Sequence, residues 1–190
     1  MEEKIVYFES GGKHNTEATL KLAKERAVKR NIKYVLVASI SGFSAEKALV
    51  VFKDIDVRLS IVSIGSSGRH SIPEIVKEQL KRSGHRLCFS GDVEYEWPDI
   101  AVTAFRRLSE GIKVCVQNMI VATEAGLITA GQETVSVGGT GSRNYEKGGG
   151  LDTAIVIEAM KSSDFFNLED TAAFPKEERR KIKEIICKPR

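Results

Sequence analysis

Short apolar runs alternate along the chain with longer segments in which apolar residues recur at helical spacing. The run Tyr34–Ala38 (YVLVA) is apolar and rich in β-branched residues, as in strands that are buried on both faces. Residues 17–30 carry Leu20, Ala23 and Ala27 on one stripe, which predicts an amphipathic helix. Strand and helix in repeated succession favour right-handed βαβ units, and therefore an α/β fold with a mostly parallel sheet.

The same patterns predict the other strands and helices. Because no segment has the composition of a linker, we predict a single domain over residues 1–190. Strands are predicted at 4–8, 34–38, 57–64, 85–89, 134–137, 153–157 and 184–187. Helices are predicted at 17–30, 45–52, 73–83, 99–110 and 114–125, with Gly111 and Gly126 closing the last two and a basic helix preceding the final strand. The segment 90–98 is predicted to be irregular.

Four loops leave strands at the carboxyl edge of the predicted sheet, and all are rich in Gly, Ser, Thr or Asn. They span residues 9–16, 39–44, 65–71 and 138–150. Ligands of open α/β sheets bind at this edge, close to the point where the strand order reverses. The loops therefore predict a pocket, although Gly and Ser are also ordinary loop residues.

The turn after the second strand has the composition of a phosphate site. It reads Ser39-Ile40-Ser41-Gly42-Phe43-Ser44 and leads directly into a helix. Backbone N–H groups at a helix N-terminus point towards a bound anion, hydroxyl groups add donors, and the helix dipole favours negative charge there. Gly42 would allow close backbone approach or a positive φ. The alternative is that Ser41 or Ser44 only caps the helix.

The glycine-rich loop 139–150 does not match the known nucleotide fingerprints. The segment GTGSRN lacks the third glycine of the dinucleotide motif and leads towards a strand, and no GK[ST] triplet is present. Arg143 could neutralise an anion, while Asp152 could be a turn acid or could contact a ligand hydroxyl. His14 and His70 fall in candidate pocket loops without an identifiable partner. No spacing typical of a catalytic group or a metal site is present, so neither is predicted.

Composition and charge exclude some classes of protein. Of the 190 residues, 42% are apolar and the net charge is +3. The last fifteen residues hold seven basic and three acidic side chains (+4), so the remainder carries −1. A nucleic-acid-binding protein would show a broader basic face. We therefore expect no nucleic-acid partner, while a homo-oligomer stays open.

The expected compartment is the cytoplasm. The N-terminus MEEKIVYF is not a signal peptide, and no apolar run reaches the ~18 residues that a membrane span needs, so no membrane partner is expected. Cys88, Cys115 and Cys187 lie far apart in apolar segments, which favours buried free thiols in a reducing environment.

Two segments resemble the C-terminal domain of pyruvate kinase, in which a strand runs into a T-x-S-G-x-[ST]-A loop and a helix. They are NTEATLKLAKERA and IKYVLVASISGFSAEKAL, and the loop corresponds to 39–45. The sequence is more similar to small stand-alone, archaeal-type proteins described as pyruvate kinase C-terminal-domain-like. That group shares the KVCV segment at 113–116, the G-x-DTA-x-V pattern at 150–156 and the EIIC-x-P pattern at 184–189.

The resemblance implies a three-layer α/β/α fold and a site that holds a phosphorylated small molecule, in the stand-alone group flavin mononucleotide (FMN). It implies that the phosphate lies on the Ser41–Ser44 backbone and that the other loops hold the rest of the ligand. The implied binding residues are Gly11, Asn15, Thr16, Ser39, Ser41, Gly42, Phe43, Ser44, Gly65, Ser66, Gly139, Thr140 and Gly141.

FMN binding at the carboxyl edge is thus the leading hypothesis. One alternative is a non-catalytic regulatory domain that senses a sugar phosphate or a nucleotide. Another is a flavin-dependent oxidoreductase, for which the sequence identifies no proton donor.

Overall fold

The computed structural model describes residues 3–65, 67, 72–141, 149–167 and 181–190. Within them, one sheet has the strand order β1-β7-β6-β5-β2-β3-β4. Its strands are β1 (Val6–Phe8), β2 (Tyr34–Ala38), β3 (Arg58–Ser63), β4 (Arg86–Phe89), β5 (Glu133–Gly138), β6 (Thr153–Glu158) and β7 (Ile182–Pro189). The predicted strand positions are confirmed, and β7 is longer than the segment 184–187 that the pattern predicted.

The helices of the described residues alternate with these strands as predicted. They are α1 (Thr16–Lys29), α2 (Phe43–Val51), α3 (Glu74–Arg82), α4 (Asp99–Leu108), α5 (Glu110–Glu124) and the short α6 (Ser162–Phe165). Single 3-10 turns lie at Lys13–Asn15 and Ser90–Asp92. The predicted basic helix before the last strand falls mostly on residues 168–180, outside the described residues.

Six strands of the sheet run in one direction and β6 runs in the other. β2 is parallel to both β3 and β5, and β1 is parallel to β7, whereas β6 is antiparallel to β5 and β7. Because of this reversal, the connection from β5 to β6 begins and ends at the carboxyl edge of the parallel strands. The α/β class with a mostly parallel sheet is therefore confirmed.

Two apolar cores, one on each face of the sheet, make the fold a three-layer α/β/α structure. On one face α1 packs across β5, β6 and β7, and α2 and α3 continue the layer over β2 and β4. On the other face α5 packs against β2, β3, β5 and β6, and α4 packs against α5. Strand residues alternate between the cores: Leu59 and Ile61 face the first, and Val62 faces the second.

The helix predicted at 99–110 ends two residues early, and Gly111 is not its C-cap. Ser109 adopts an extended conformation (φ −179°, ψ 142°), and its hydroxyl accepts a hydrogen bond from the Gly111 N–H at 3.1 Å, so it is the N-cap of α5. Gly111 lies in the first turn of α5, where a Cβ would come within 2.0 Å of Thr153 Oγ1. Close helix–sheet packing, rather than helix termination, explains this glycine.

All three cysteines are free thiols, as predicted. Cys115 and Cys187 are buried and Cys88 is partly buried. Burial raises the pKa of Cys88 and of Cys187 to about 12, so both thiols are protonated at neutral pH.

Among the described residues, none of the helices combines the length and apolar character that a bilayer crossing requires.

His85 links β3 to the start of β4 and makes the fold sensitive to acid. Its Nδ1 accepts a hydrogen bond from the Leu59 N–H at 3.3 Å, which only the unprotonated nitrogen can do. Burial lowers the pKa of His85 below its usual 6.5, so the unfolded chain binds the proton more readily than the folded one. This contribution to stability is complete above pH 6.5 and is lost as the pH falls through the folded-state pKa.

We expect the free energy of unfolding to fall between about pH 7 and 5 in the wild type and to fall less in His85→Gln, which has no titrating group there. Urea denaturation at a series of pH values measures both curves. Parallel curves for the two proteins would contradict this role of His85.

Candidate functional site

A cavity of about 790 Å³ opens at the carboxyl edge of the sheet, over the ends of β2 and β5. The chain leaves β2 through α2 on one face and reaches β5 from α5 on the other face, so the strand order reverses between these strands. Open α/β sheets bind ligands at such a point, and the volume lies in the range of small-molecule sites.

The β2–α2 turn forms one wall of the cavity. The lining residues of this wall are Ala38, Ser39, Ile40, Ser41, Phe43 and Ser44. Gly42 is the N-cap residue with φ 89°, and the helix begins at Phe43. Phe43 and Ser44 occupy the first two helical positions, whose N–H groups have no acceptor within the helix.

The serine that caps α2 is neither of the two that the capping alternative named. Ser39 Oγ accepts a hydrogen bond from the Ala45 N–H at 3.3 Å. Ser41 is exposed at the cavity, and Ser44 lines it from the first turn of the helix. Their hydroxyl groups therefore lie beside the positive end of the α2 dipole.

Gly42 has the positive φ that the sequence suggested, but it does not line the cavity. It is buried, and a Cβ at this position would lie 2.7 Å from Pro73 Cδ. The left-handed conformation and the packing on Pro73 both require glycine here.

The β5–β6 loop forms the second wall. Its lining residues are Gly139, Thr140, Gly141, Gly149 and Gly150. A Cβ on Gly139 would lie 2.2 Å from the Gly150 carbonyl oxygen, and one on Gly149 would lie 2.4 Å from the Gly141 carbonyl carbon. The backbones of the two ends of the loop pack directly against each other. This packing is sufficient to require glycine at these positions, whether or not a ligand binds. It also leaves backbone groups at the cavity surface.

The Asp152 carboxylate connects this loop to the loop after β1. It is fully buried and accepts hydrogen bonds from the Gly12 N–H at 2.8 Å, the Thr140 N–H at 3.1 Å and the Thr153 hydroxyl at 2.9 Å. Of the two roles considered for Asp152, the structure supports that of a structural acid.

Three residues that the sequence assigned to the ligand are not among the residues that line the cavity. Thr16 Oγ1 donates to the Lys13 carbonyl at 2.8 Å and accepts from the Leu151 N–H at 3.0 Å. Asn15 donates to the Ser10 carbonyl at 2.7 Å. A Cβ on Gly11 would lie 2.7 Å from Thr140 Oγ1. Thr16 and Gly11 hold the β1 loop against the two ends of the β5–β6 loop, and Asn15 shapes the β1 loop itself.

Of the loop after β3, the structure describes residues 64, 65, 67, 72 and 73. Ile64 lines the cavity, whereas Gly65 donates from its N–H to Ser90 Oγ at 2.8 Å and accepts from the Gly91 N–H at 2.9 Å. Gly65 thus anchors the end of β4. Ser66, His70 and Arg143 lie outside the described residues.

The third wall comes from the α4–α5 junction and was missed in the sequence. It contains Arg106, Glu110, Lys113 and Val114. Glu110 pairs with Arg106 at 2.9 Å and with Lys113 at 3.0 Å, so this wall carries a net charge of +1. Partial burial opposes ionisation of Glu110, but hydrogen bonds and charges from Lys113 and Arg106 outweigh it and lower its pKa. The sequence signal for this wall was Lys113, a charged residue within the otherwise apolar segment Ile112–Val116.

Of the predicted site residues, the structure therefore brings seven together around one cavity: Ser39, Ser41, Phe43, Ser44, Gly139, Thr140 and Gly141. Gly11, Asn15, Thr16, Gly42 and Gly65 support that arrangement from outside the lining.

No protein-family model matches this chain. The fold is similar to part of a solved structure, Cryptosporidium parvum pyruvate kinase in complex with ADP, with 15% sequence identity and a TM-score of 0.41. The similarity covers 76% of this chain and 24% of the pyruvate kinase chain.

Replacing Asp152 with Ala should destabilise the protein by at least about 2 kcal/mol, because it removes a buried carboxylate that accepts hydrogen bonds from the Gly12 N–H, the Thr140 N–H and the Thr153 hydroxyl. Asp56→Ala is the control: its side chain is 95% exposed beside Lys33, and its loss should cost less than about 0.5 kcal/mol. Chemical denaturation measures both values, and equal stability of the two variants would contradict the role of Asp152.

Proposed function

We propose that this protein binds a phosphorylated small molecule, FMN, in the cavity at the carboxyl edge of its sheet, with the phosphate on the β2–α2 turn. The observation that carries the proposal is the convergence of a helix N-terminus, two serine hydroxyls and a net positive wall on one cavity of ligand size.

The β2–α2 turn supplies the groups that bind phosphate. The N–H groups of Phe43 and Ser44 begin the helix, and the hydroxyls of Ser41 and Ser44 lie beside them. Backbone donors, hydroxyl donors and the helix dipole all favour a dianionic ester at this place.

The size and lining of the cavity support a ligand with a large non-phosphate part. A water molecule takes about 30 Å³ in the liquid and a phosphate group only a few times more, so 790 Å³ far exceeds the volume of the anion alone. Ile40, Phe43, Ile64 and Val114 add apolar surface against which a flat ring system could pack. The choice of FMN among such ligands rests on the sequence resemblance described above.

Mass spectrometry of the small molecule released from the freshly purified, denatured protein tests this proposal. We expect FMN, together with a yellow colour of the native protein. A different phosphate ester that raises the melting temperature, with no flavin bound, would support a sensor of sugar phosphates or nucleotides instead. Oxidation of NAD(P)H by the flavin-loaded protein would support the oxidoreductase.

Ser41→Asp should weaken FMN binding about tenfold or more, because the new carboxylate repels the phosphate across a few ångströms. The variant should fold normally, since the negative charge lies near the N-terminus of α2. Ser41→Asn is the matched control: it has a similar shape without the charge and should bind FMN nearly as the wild type does. Titration of the apoprotein with FMN by fluorescence measures the affinities, and equal affinity for Ser41→Asp and Ser41→Asn would contradict the phosphate position.

A further inference from the structure

The cavity has polar groups at two ends that lie on opposite faces of the sheet. Ala45 and Ala48 of α2 belong to the core shared with α1 and α3, whereas Ile112 and Val116 of α5 belong to the opposite core. The charged wall at the α4–α5 junction therefore lies across the sheet edge from the β2–α2 turn. A ligand whose phosphate lies on that turn must extend over the ends of β2 and β5 to reach this wall.

Lys113 is the most buried of the three charged residues in this wall. Its side chain is 11% exposed, compared with 32% for Glu110 and 55% for Arg106. Removing an ammonium group from water is costly unless it is paired and hydrogen-bonded. Glu110 accepts from Lys113 but also from Arg106, so one carboxylate serves two cations, and an ammonium group has three donors to place.

A second Glu–Lys pair in this chain shows what a purely structural pair looks like. On α3, Glu74 and Lys77 are also three residues apart and are joined at 3.1 Å. Their side chains are 75% and 39% exposed, and neither residue lines the cavity. The Glu110–Lys113 pair has the same spacing and a similar distance, but it is largely buried at a cavity wall.

We infer that Lys113 determines specificity by donating a hydrogen bond to a negatively polarised acceptor at the non-phosphate end of the ligand. This inference rests on the proposed function, since it takes the phosphate position on the β2–α2 turn as given. The ligand class is thus a phosphate ester whose other end carries carbonyl or anionic oxygen or nitrogen acceptors. The pyrimidine-like ring of a flavin, with its two carbonyl groups, has this chemistry.

Lys113→Met tests the inference, with FMN, riboflavin and inorganic phosphate as probes. Loss of a hydrogen bond from a charged donor should weaken binding of FMN and of riboflavin about tenfold to a hundredfold. Binding of inorganic phosphate, which contacts only the opposite end, should change less than about twofold. Lys77→Met is the matched control and should leave the affinity for all three probes unchanged.

The double variant Glu110→Gln/Lys113→Met separates ligand recognition from a structural role. If Lys113 only neutralises Glu110, removing both charges should restore wild-type affinity for FMN. If Lys113 contacts the ligand, the double variant should fold and still bind FMN as weakly as Lys113→Met does. Circular dichroism and thermal unfolding establish that each variant is folded before its affinity is compared.

The outcomes distinguish this inference from the proposed function. Wild-type affinity for FMN in Lys113→Met or in the double variant, with weakened binding in Ser41→Asp, would overturn the role of Lys113 and leave the phosphate site intact. Failure of the wild-type protein to bind FMN, riboflavin or phosphate would overturn both.

Discussion

The buried carboxylate of Asp152 is the interaction on which the geometry of the carboxyl edge depends. A charge without access to water must be satisfied by donors placed around it, and here they come from the loop after β1, the loop after β5 and the first residue of β6. Gly12 is 140 positions away from Asp152 in sequence, so this contact closes the longest loop in the site. The glycines near it follow from the same constraint, because backbone must approach backbone closely for those donors to reach the carboxylate.

The reversal of β6 makes this arrangement possible. In a regular parallel crossover the start of β6 would lie at the opposite edge of the sheet, far from the β1 and β2 loops. Antiparallel pairing with β5 places Thr153 beside Gly138, so the residues just before β6 lie at the carboxyl edge. The first turn of α5 then packs on Thr153, which brings the charged residues of that helix to the cavity.

The cavity brings together the β2–α2 turn and the charged wall of the α4–α5 junction, which arise from local and from long-range contacts respectively. The β2–α2 turn is local: a strand, a capping serine and a glycine of positive φ present helix N–H groups within a few residues. The charged wall is not local, because its position depends on the break at Ser109 and on the packing of α5 against β5 and β6. In the proposed function the first end holds the phosphate, and the second end adds a buried cation on the other face of the sheet.

The sequence by itself determined most of the elements, the parallel character of the sheet, and the strand–turn–helix unit around Ser39–Ser44, which lines the cavity. Apolar periodicity and cap residues involve neighbours within a few positions of each other, so they can be recognised from the sequence alone. The direction of β6, the break between α4 and α5, and the wall of Arg106, Glu110 and Lys113 were decided only by tertiary structure. They depend on contacts such as Thr153 with Gly111 and Asp152 with Gly12, whose partners are far apart in sequence and leave no periodic signal. For the same reason the sequence assigned Thr16 and Gly42 to the ligand without showing their partners within the chain. In the structure Thr16 accepts a hydrogen bond from the Leu151 N–H, and Gly42 packs on Pro73.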